Sequence, residues 1–547
     1  MFKNLFSRQI NSITMAAALV GVSSLLSRFL GVFRDRILAG QFGAGESLDI
    51  YYSAFRIPDL IYNLLILGAL SAGFIPIFTG LIKDFKSYKS TGLFKYLNSE
   101  AWDLANNLLN ILMLALIGLS VLGIIFAPNL IALISPGFSP EAKETTAALT
   151  RIMFLSPLFL GISGILGVVL QSFKNFLVYS LAPILYNVGI IVGALWLFPL
   201  MGIPGLAWGV VLGAFLHMVI QIPIVYNLGW RYRLAINFRN KNLIKIAQMM
   251  IPRTLSLAIS QINLVIITII ASELVSGSLS VFNFANNLQS FPVGIFGISF
   301  AVAAFPALSA AAHDNKKMIS HFSSATRQIL FFIIPATVLL ITLRAQIIRI
   351  ILGTGSFDWE DTILTMDTLG FFALSLFAQA IIPLQTRLFY ARQDSRTPFV
   401  IGIFVVITNI FLSLWLAGRL GVAGLALAFS MSSILNFVLL WVWLHVKIGN
   451  MDQTKILVST AKFSAAGIAA GFVVQMMKNI VWPYIDMATF SGVLAQGIAA
   501  ALFGLIAYLL VCALLRSEEF YDFLNLIKRK LSWRKVKVGD QGEARGL

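Results

Sequence analysis

Cysteine is nearly absent from this sequence. Cys512 is the only one in 547 residues, so no disulfide within the chain and no thiolate metal centre is expected. Histidine is scarce too: His217, His313, His321 and His445 lie far apart, without HxxxH or HExxH spacing. A bound zinc ion needs about four convergent ligands, and the sequence offers no such set. Charged residues make up only 12% of the chain, roughly half the share of a soluble domain. There is no GxxxxGK[ST], which argues against ATP hydrolysis. No GxSxG or HExxH supports hydrolytic chemistry. Nor is any polar stretch long enough for a folded catalytic head.

Apolar sequence fills the space these absences leave. Hydrophobic residues make up 58% of the chain, and the mean hydropathy is +0.87. Such a composition belongs to a polytopic membrane protein, for which the bilayer supplies the apolar surroundings. Runs of about 20 apolar residues each cross the hydrocarbon core once. Fourteen are read, at about 12–38, 48–81, 103–126, 147–170, 181–199, 204–226, 246–271, 276–311, 328–353, 366–387, 397–417, 421–446, 457–477 and 491–515.

Lys and Arg alternate between successive loops. Loops after even-numbered spans hold Lys83, Lys86, Lys89 and Lys95, then Lys174, then Arg231, Arg233, Arg239, Lys241 and Lys245. Further even loops hold Lys316, Lys317 and Arg327, then Arg387, Arg392 and Arg396, then Lys447 and Lys455. Odd loops hold little beyond Lys143, Arg419 and Lys478, and one is acidic (Asp358, Glu360, Asp361). The positive-inside rule therefore places the even loops and both termini in the cytoplasm. The first apolar stretch lacks an AxA-type cleavage site and is interrupted by charge, so it reads as a retained helix. The net charge of +17 follows this topology and does not indicate nucleic-acid binding. The tail "IKRKLSWRKVKV" (Ile527–Val538) reads as a solvated segment attracted to anionic headgroups.

The sequence also repeats itself. "ALSAGFIPIF" and "SFAVAAFPAL" place Pro76 and Pro306 at an offset of 230, while "GIPGLAWG" and "GVAGLALA" align at 219. Both map one six-span half onto another in the same orientation, and parallel half-repeats usually build a transporter with its path between them. The expected architecture is all-α: 1–226 as a first lobe, 227–447 as a second, 448–515 as a helix pair, and 516–547 as a basic tail.

Polar residues inside apolar spans are the candidate site. "SRFLGVFRDRIL" (Ser27–Leu38) carries Arg28, Arg34, Asp35 and Arg36. Residues seven apart fall nearly on one helix face, so Arg28 and Asp35 share a face with Ser24 and Gly31. The second span carries Asp49, Tyr52, Arg56, Asp59 and Asn63 at steps of three and four. At the offset of 230, Arg56 and Asp59 map onto Asn286 and Gln289, near Asn283 and Asn287. One stripe is ionic and the other neutral. Arg34, Asp35 and Arg36 could instead cap the end of the first helix, and Arg56 and Asp59 could pair locally. An arginine at the bilayer centre costs at least about 2.5 kcal/mol on insertion scales. An anion site explains the excess, because guanidinium matches phosphate bidentately. Arg253, after Pro252, either snorkels to the surface or adds charge to the cavity. The Gly189/Gly193 and Gly205/Gly209/Gly213 spacings point to close helix packing. Asn263, Thr268, Asn409 and Ser413 either coordinate Na⁺ or bond between helices.

The run "SSLLSRFLGVFRDRILAGQFGAGESLDIYYSAFRIPDL" closely resembles the start of the MurJ/MviN family of lipid II flippases. That family lies within the multidrug/oligosaccharidyl-lipid/polysaccharide exporter superfamily. The resemblance continues through "GALSAGFIPIF", "SPGFSPEAKETT", "SQINLVIITIIAS", "FPVGIFGISFAVAAFPALS" and "FYARQDSRTP", and covers roughly residues 10–515. It implies fourteen transmembrane helices as two six-helix lobes and a final pair. It also implies that lipid II, a disaccharide-pentapeptide on undecaprenyl pyrophosphate, moves from the cytoplasmic to the outer leaflet of the bacterial inner membrane. A cationic cavity would hold the pyrophosphate and sugars, with the prenyl tail in lipid or beside the last helix pair.

The family's SR…RD motif falls on Ser27, Arg28, Arg34 and Asp35, its second-helix acid on Asp49, and a basic position before the proline on Arg56. Relatives commonly carry further charges where this chain has Tyr62, Asn63, Leu67 and Asn287. The substrate-binding set is thus Arg28, Arg34, Asp35, Asp49, Arg56, Arg253 and Asn287, with Arg253 as compensation for a missing charge. No catalytic residue, metal ligand or bound cofactor is expected, and coupling falls to Na⁺ or the membrane potential. Lipid II and membrane lipids are the implied partners of a monomer, with cell-wall synthesis machinery a further candidate. Other transport readings are export of another polyprenyl-linked glycan and ion-coupled multidrug efflux. Drug efflux usually handles cations, which an Arg-rich cavity disfavours. A glycosyltransferase acting through Asp358–Asp361 and a scaffold without transport are the readings from other classes.

Overall fold

The computed structural model describes residues 13–67, 73–83 and 99–532. Every regular element among these residues is a helix. A chain this apolar has little choice, because a helix satisfies each backbone N–H and C=O within its own segment where no water can. Among the described residues ten helices are long and apolar enough to cross a membrane, or eleven if the bent pair Trp359–Ala373 and Leu376–Ala391 forms one span.

The described chain forms two compact units. The first comprises Met1–Asn287, Ile351–Thr368 and Gly402–Phe429, and the second Leu288–Ile350, Leu369–Ile401 and Ser430–Leu547. The principal helices begin with α1 (Ile13–Phe42), α2 (Glu46–Tyr62), α3 (Ser99–Ile125), α4 (Pro140–Met153) and α5 (Leu155–Ser172). Next come α6 (Phe176–Val192), α7 (Pro204–Val219), α8 (Lys241–Ser272), α9 (Ser278–Pro292) and α10 (Asn315–Thr342). The bent pair is α11 (Trp359–Ala373) and α12 (Leu376–Ala391), followed by α13 (Arg396–Leu420) and α14 (Val422–Ile448). The series ends with α15 (Gln453–Val481), α16 (Phe490–Leu514) and α17 (Glu518–Ser532).

Several span boundaries differ from the sequence reading. Helix α1 runs on to Phe42, so Arg34, Asp35 and Arg36 sit within it and do not cap its end. Helix α2 passes into a wide π-helical stretch at Asn63–Leu67, which a hydropathy window cannot see. The span read at 328–353 starts earlier, at Asn315, and breaks at Leu343 before Arg344–Ile351. The one read at 366–387 is bent by 46° between α11 and α12.

In the first unit, α6 and α7 meet through glycine. A Cβ built on Gly193 lies 2.5 Å from the Gly209 Cα, closer than any real carbon contact. Gly189 faces Gly213 in the same way. These glycines let two backbones touch, the usual source of cohesion where lipid is as apolar as the side chains. Nearby, Phe74 stacks on Phe78 at 4.9 Å and Trp102 on Phe173 at 5.9 Å, within the aromatic core of this unit.

In the second unit, α15 and α16 pack against each other and against α10. The buried Tyr508 hydroxyl donates to the Phe331 carbonyl at 2.8 Å, and Gln346 donates to Gln496 at 2.9 Å. Helix α17 is pinned at its acidic start: buried Arg327 pairs with Glu519 and, at 3.3 Å, with Glu518. Ser459 and Ser517 donate to the Glu519 carboxylate at 3.1 and 2.7 Å. Burial alone pushes that carboxyl's pKa up, but the Ser517 bond, the Arg327 charge and the Ser459 bond hold it below the ordinary value.

Local geometry recurs at the offsets seen in sequence. The π-helical stretches begin at Asn63 and Val293, an offset of 230. Lys174 and Gln393 are both left-handed, at φ 59° and 60°, an offset of 219. Gly202 and Gly421, also 219 apart, share a positive φ. Gly205 and Gly424 each press on the backbone of the preceding helix, at Leu197 and Leu416. Backbone strain at matching positions is much harder to attribute to chance than a short stretch of similar letters.

Candidate functional site

A cavity of about 360 Å³ opens within the first unit. Helix α2 supplies one wall through Tyr51, Tyr52, Phe55, Arg56, Asp59 and Tyr62. Arg34 and Leu38 come from α1, Tyr186 from α6, His217 from α7, and Asn283 and Asn287 from α9. The i, i+3, i+4 spacing read along the second span is the spacing that turns one helix face toward a common space.

Arg34 and Asp35 are clamped together. The Arg34 Nε and Nη2 both donate to Asp35 Oδ1, at 3.0 and 2.7 Å. Arg34 Nη1 donates to Asn187 Oδ1 at 3.1 Å, and Asn287 Nδ2 donates to Asp35 Oδ2 at 2.9 Å. Asp35 is buried. A buried carboxylate needs both charge and hydrogen-bond compensation, and here three bonds from two side chains, Arg34 and Asn287, supply it. Asn187 was missed in sequence because a lone asparagine in a glycine-rich apolar helix carries no pattern.

Arg56 is placed differently. Its Nε donates to the Thr268 hydroxyl at 2.9 Å, and its two terminal nitrogens bond to no described residue. The local pair with Asp59 does not form; Asp59 instead accepts from Asn63 at 2.9 Å. Arg56 thus presents a half-engaged guanidinium fork to the cavity. Around it stand the tyrosines, and the buried Tyr52 hydroxyl finds no hydrogen-bond acceptor or donor among the described residues.

Asp49 has another setting. It is buried and accepts from the Gly277 N–H at 2.7 Å, the Ser280 N–H at 2.8 Å and the Ser280 hydroxyl at 2.6 Å. It caps the start of α9 from a neighbouring helix and is not among the residues lining the cavity, although the sequence reading placed it in the substrate-binding set. Arg28 is half-buried on α1, bonds to no described residue and is likewise absent from the lining. Arg253 lies on α8, with its side chain outside the described residues. Arg36 reaches the Ile351 carbonyl at 3.3 Å. The described lining therefore holds two arginines, one aspartate and a histidine among four tyrosines. It is far less cationic than the sequence suggested.

His217 is the other residue that the sequence reading passed over. Its Nδ1 lies 2.6 Å from the Ser163 hydroxyl, and Gln221 donates to that hydroxyl at 2.5 Å. Asn409 donates to Asn263 at 2.8 Å, and Ser413 to Asn409 at 3.3 Å, so these three meet in an interhelical chain of bonds. Thr268 stands apart from them, with Arg56. Among the described residues no group of three His, Cys, Asp or Glu side chains converges on a metal position.

Known proteins match this chain along nearly its whole length. A family model described as "Lipid II flippase MurJ" matches residues 38–515. A probable lipid II flippase MurJ of Vibrio cholerae is 31% identical over 484 residues, covering 86% of this chain and 89% of that protein. The solved structure of a lipid II flippase MurJ in an inward closed conformation superposes with a TM-score of 0.73 at 25% identity, covering 93% of this chain and 99% of the other. An inward-facing multidrug resistance MATE family transporter of the MOP superfamily shares the fold, with a TM-score of 0.64 at 16% identity, over 78% of this chain and 96% of its own. A helical membrane protein with this match, and with the paired Arg34–Asp35 and the open Arg56 on its cavity wall, belongs to the MurJ family of lipid II flippases.

Proposed function

We propose that this protein is a transporter that moves lipid II from the cytoplasmic to the outer leaflet of the bacterial inner membrane by alternating access. One observation carries the reading of the site: the Arg56 guanidinium, with its terminal nitrogens engaged by no described residue, opens into a tyrosine-lined cavity beside a prearranged Arg34–Asp35 pair. A pyrophosphate presents paired oxygens at the spacing of such a fork. The tyrosine rings and hydroxyls suit the faces and edges of sugars. Asp35 holds Arg34 in place, Asn287 holds Asp35, and Asp49 supports the wall by fixing the start of α9. Arg28 and Arg253 are proposed to meet the anionic headgroup at other stages of its passage.

The proposed topology has fourteen crossings, two six-helix lobes over 1–226 and 227–447, a helix pair at 448–515 and both termini in the cytoplasm. The chain acts as a monomer, alongside the enzymes that make and use its substrate. The membrane potential or Na⁺ supplies the driving force, with Asn263, Asn409 and Ser413 as the polar group available to a cation.

The test replaces an essential lipid II flippase in living cells with this chain, wild type or Arg56→Ala, and follows lipid II translocation. Wild type should support growth and translocation, and Arg56→Ala should do neither at equal membrane abundance. A wild-type protein that inserts normally yet leaves lipid II on the cytoplasmic side would point to another polyprenyl-linked glycan.

A further inference from the structure

Between α7 and α8 the chain runs through "WRYRLAINFRN" (Trp230–Asn240) without helix or strand pairing. A stretch of backbone at the end of membrane-crossing helices must still satisfy its polar groups. Three buried asparagines on α3 do this. Asn106 donates to the Arg231 carbonyl at 3.0 Å, Asn110 to those of Arg233 and Ala235 at 2.9 Å each, and Asn107 to that of Asn237 at 2.9 Å. The Asn237 N–H returns a bond to Asn107 at 2.7 Å, and the Trp230 indole donates to Asn106 at 2.9 Å. Every second carbonyl, 231 through 237, is taken. That period of two is the period of an extended chain.

With its backbone held this way, the strap turns Leu234, Ile236 and Phe238 outward, while the Tyr232 hydroxyl donates back to Asn110 Oδ1 at 3.0 Å. Tyr232, Leu234, Ile236 and Phe238, also two apart, are 57%, 79%, 47% and 61% exposed. A water-soluble loop does not hold four large apolar side chains in a row in solvent. Arg231, Arg233, Arg239, Lys241 and Lys245 accompany them, and no acidic residue occurs from Trp230 to Lys245. Arg231 lies over the Tyr226 ring at 3.6 Å, while Arg233 and Arg239 form no ion pair with a described residue. Apolar side chains alternating with unpaired cations at the end of a membrane helix match the bilayer interface. Acyl chains lie below it and phosphates beside it.

We infer that Trp230–Asn240 is a lipid-binding strap: Leu234, Ile236 and Phe238 enter the acyl region, the Tyr232 ring lies at its edge, and Arg233 and Arg239 engage acidic phospholipid headgroups. The strap does not depend on which lipid the cavity carries. Because its shape is fixed by Asn106, Asn107 and Asn110, it meets the membrane already ordered and loses little entropy on binding.

The test uses the full-length protein with Leu234→Cys labelled by an environment-sensitive fluorophore, since native Cys512 is fully buried. In vesicles of phosphatidylglycerol the emission should shift to the blue and be quenched by brominated acyl chains. Native mass spectrometry should find phosphatidylglycerol retained over phosphatidylcholine. Arg233→Gln and Arg239→Gln, both at exposed positions, should lower that preference roughly fivefold each, with normal elution and melting. Equal retention of the two lipids, or emission that stays that of an aqueous label in vesicles, overturns the inference. So does a full shift produced in neutral micelles by inorganic phosphate alone, which would assign the site to a free anion.

Discussion

At the scale of single residues, Arg34 and Arg56 carry the same charge but differ in what they are free to do. Arg34 is spent on Asp35 and Asn187, whereas Arg56 gives only Nε to Thr268. Replacing Arg56 by Ala should reduce substrate affinity at least tenfold, the order expected for losing a charged hydrogen bond of about 1.5–3 kcal/mol. Arg56→Lys should recover part of it, since a point charge replaces a fork; binding of a radiolabelled substrate to purified protein reads both. Arg34→Ala should abolish transport with expression retained. Asp49→Ala belongs to a different kind of change. It strips three donors at the start of α9 and should lower stability by about 1–3 kcal/mol, seen as a drop in melting temperature in detergent. Transport per folded molecule should stay near wild type, and a specific loss of transport would return Asp49 to the cavity.

Helices and the turns between them form the next scale. Because Gly193 and Gly209 bring α6 and α7 into backbone contact, Gly209→Leu should prevent stable folding, with loss of membrane-inserted protein on immunoblots. The turn between α12 and α13 is held by charge. Asp394 accepts from the Thr397 N–H at 3.0 Å and hydroxyl at 2.7 Å and pairs with Lys447. Burial raises the carboxyl pKa, but the Lys447 bond, the two Thr397 bonds and the Lys447 charge outweigh it and bring the value down to about 2. A depressed carboxyl stabilises the fold above its unfolded pKa of about 3.9 and loses that contribution as pH falls toward 2. Wild type should therefore melt above Asp394→Asn at pH 6, and the gap should narrow as pH falls below about 4 and close only below about 2.

Much of this scale was legible in the letters. Glycine spacing announced the α6–α7 contact, and steps of three and four announced the α2 wall. Hydrogen bonds that reach across the sequence were not legible. Asn106, Asn107 and Asn110 look like ordinary polar residues until the strap 125 residues away is seen against them. Asp49 looked like a cavity acid for the same reason: nothing local says that Gly277 and Ser280 will claim it. Tertiary contact decides whether a buried carboxylate binds a ligand or serves its own fold.

For the whole molecule, the chain's Lys and Arg pattern sets an expectation about sidedness. Cysteines introduced at Arg239 and at Glu360 should react with a membrane-impermeant thiol reagent from opposite sides, the first only after the cytoplasmic face is opened. Labelling of both from outside would overturn the fourteen-crossing topology.

The two copies of the repeat hold one further piece of information. The offset is 230 at the π-helical stretches and 219 at the left-handed residues Lys174 and Gln393, so the first copy gained, or the second lost, eleven residues in between. Fifteen residues separate Lys83 from Ser99, and four separate Ala310 from Asn315. That difference is again eleven. Most of the divergence in length thus falls on the segment 84–98 of the first copy. Excising eleven residues from that segment should leave insertion and melting unchanged, since it restores a spacing that the other copy already uses.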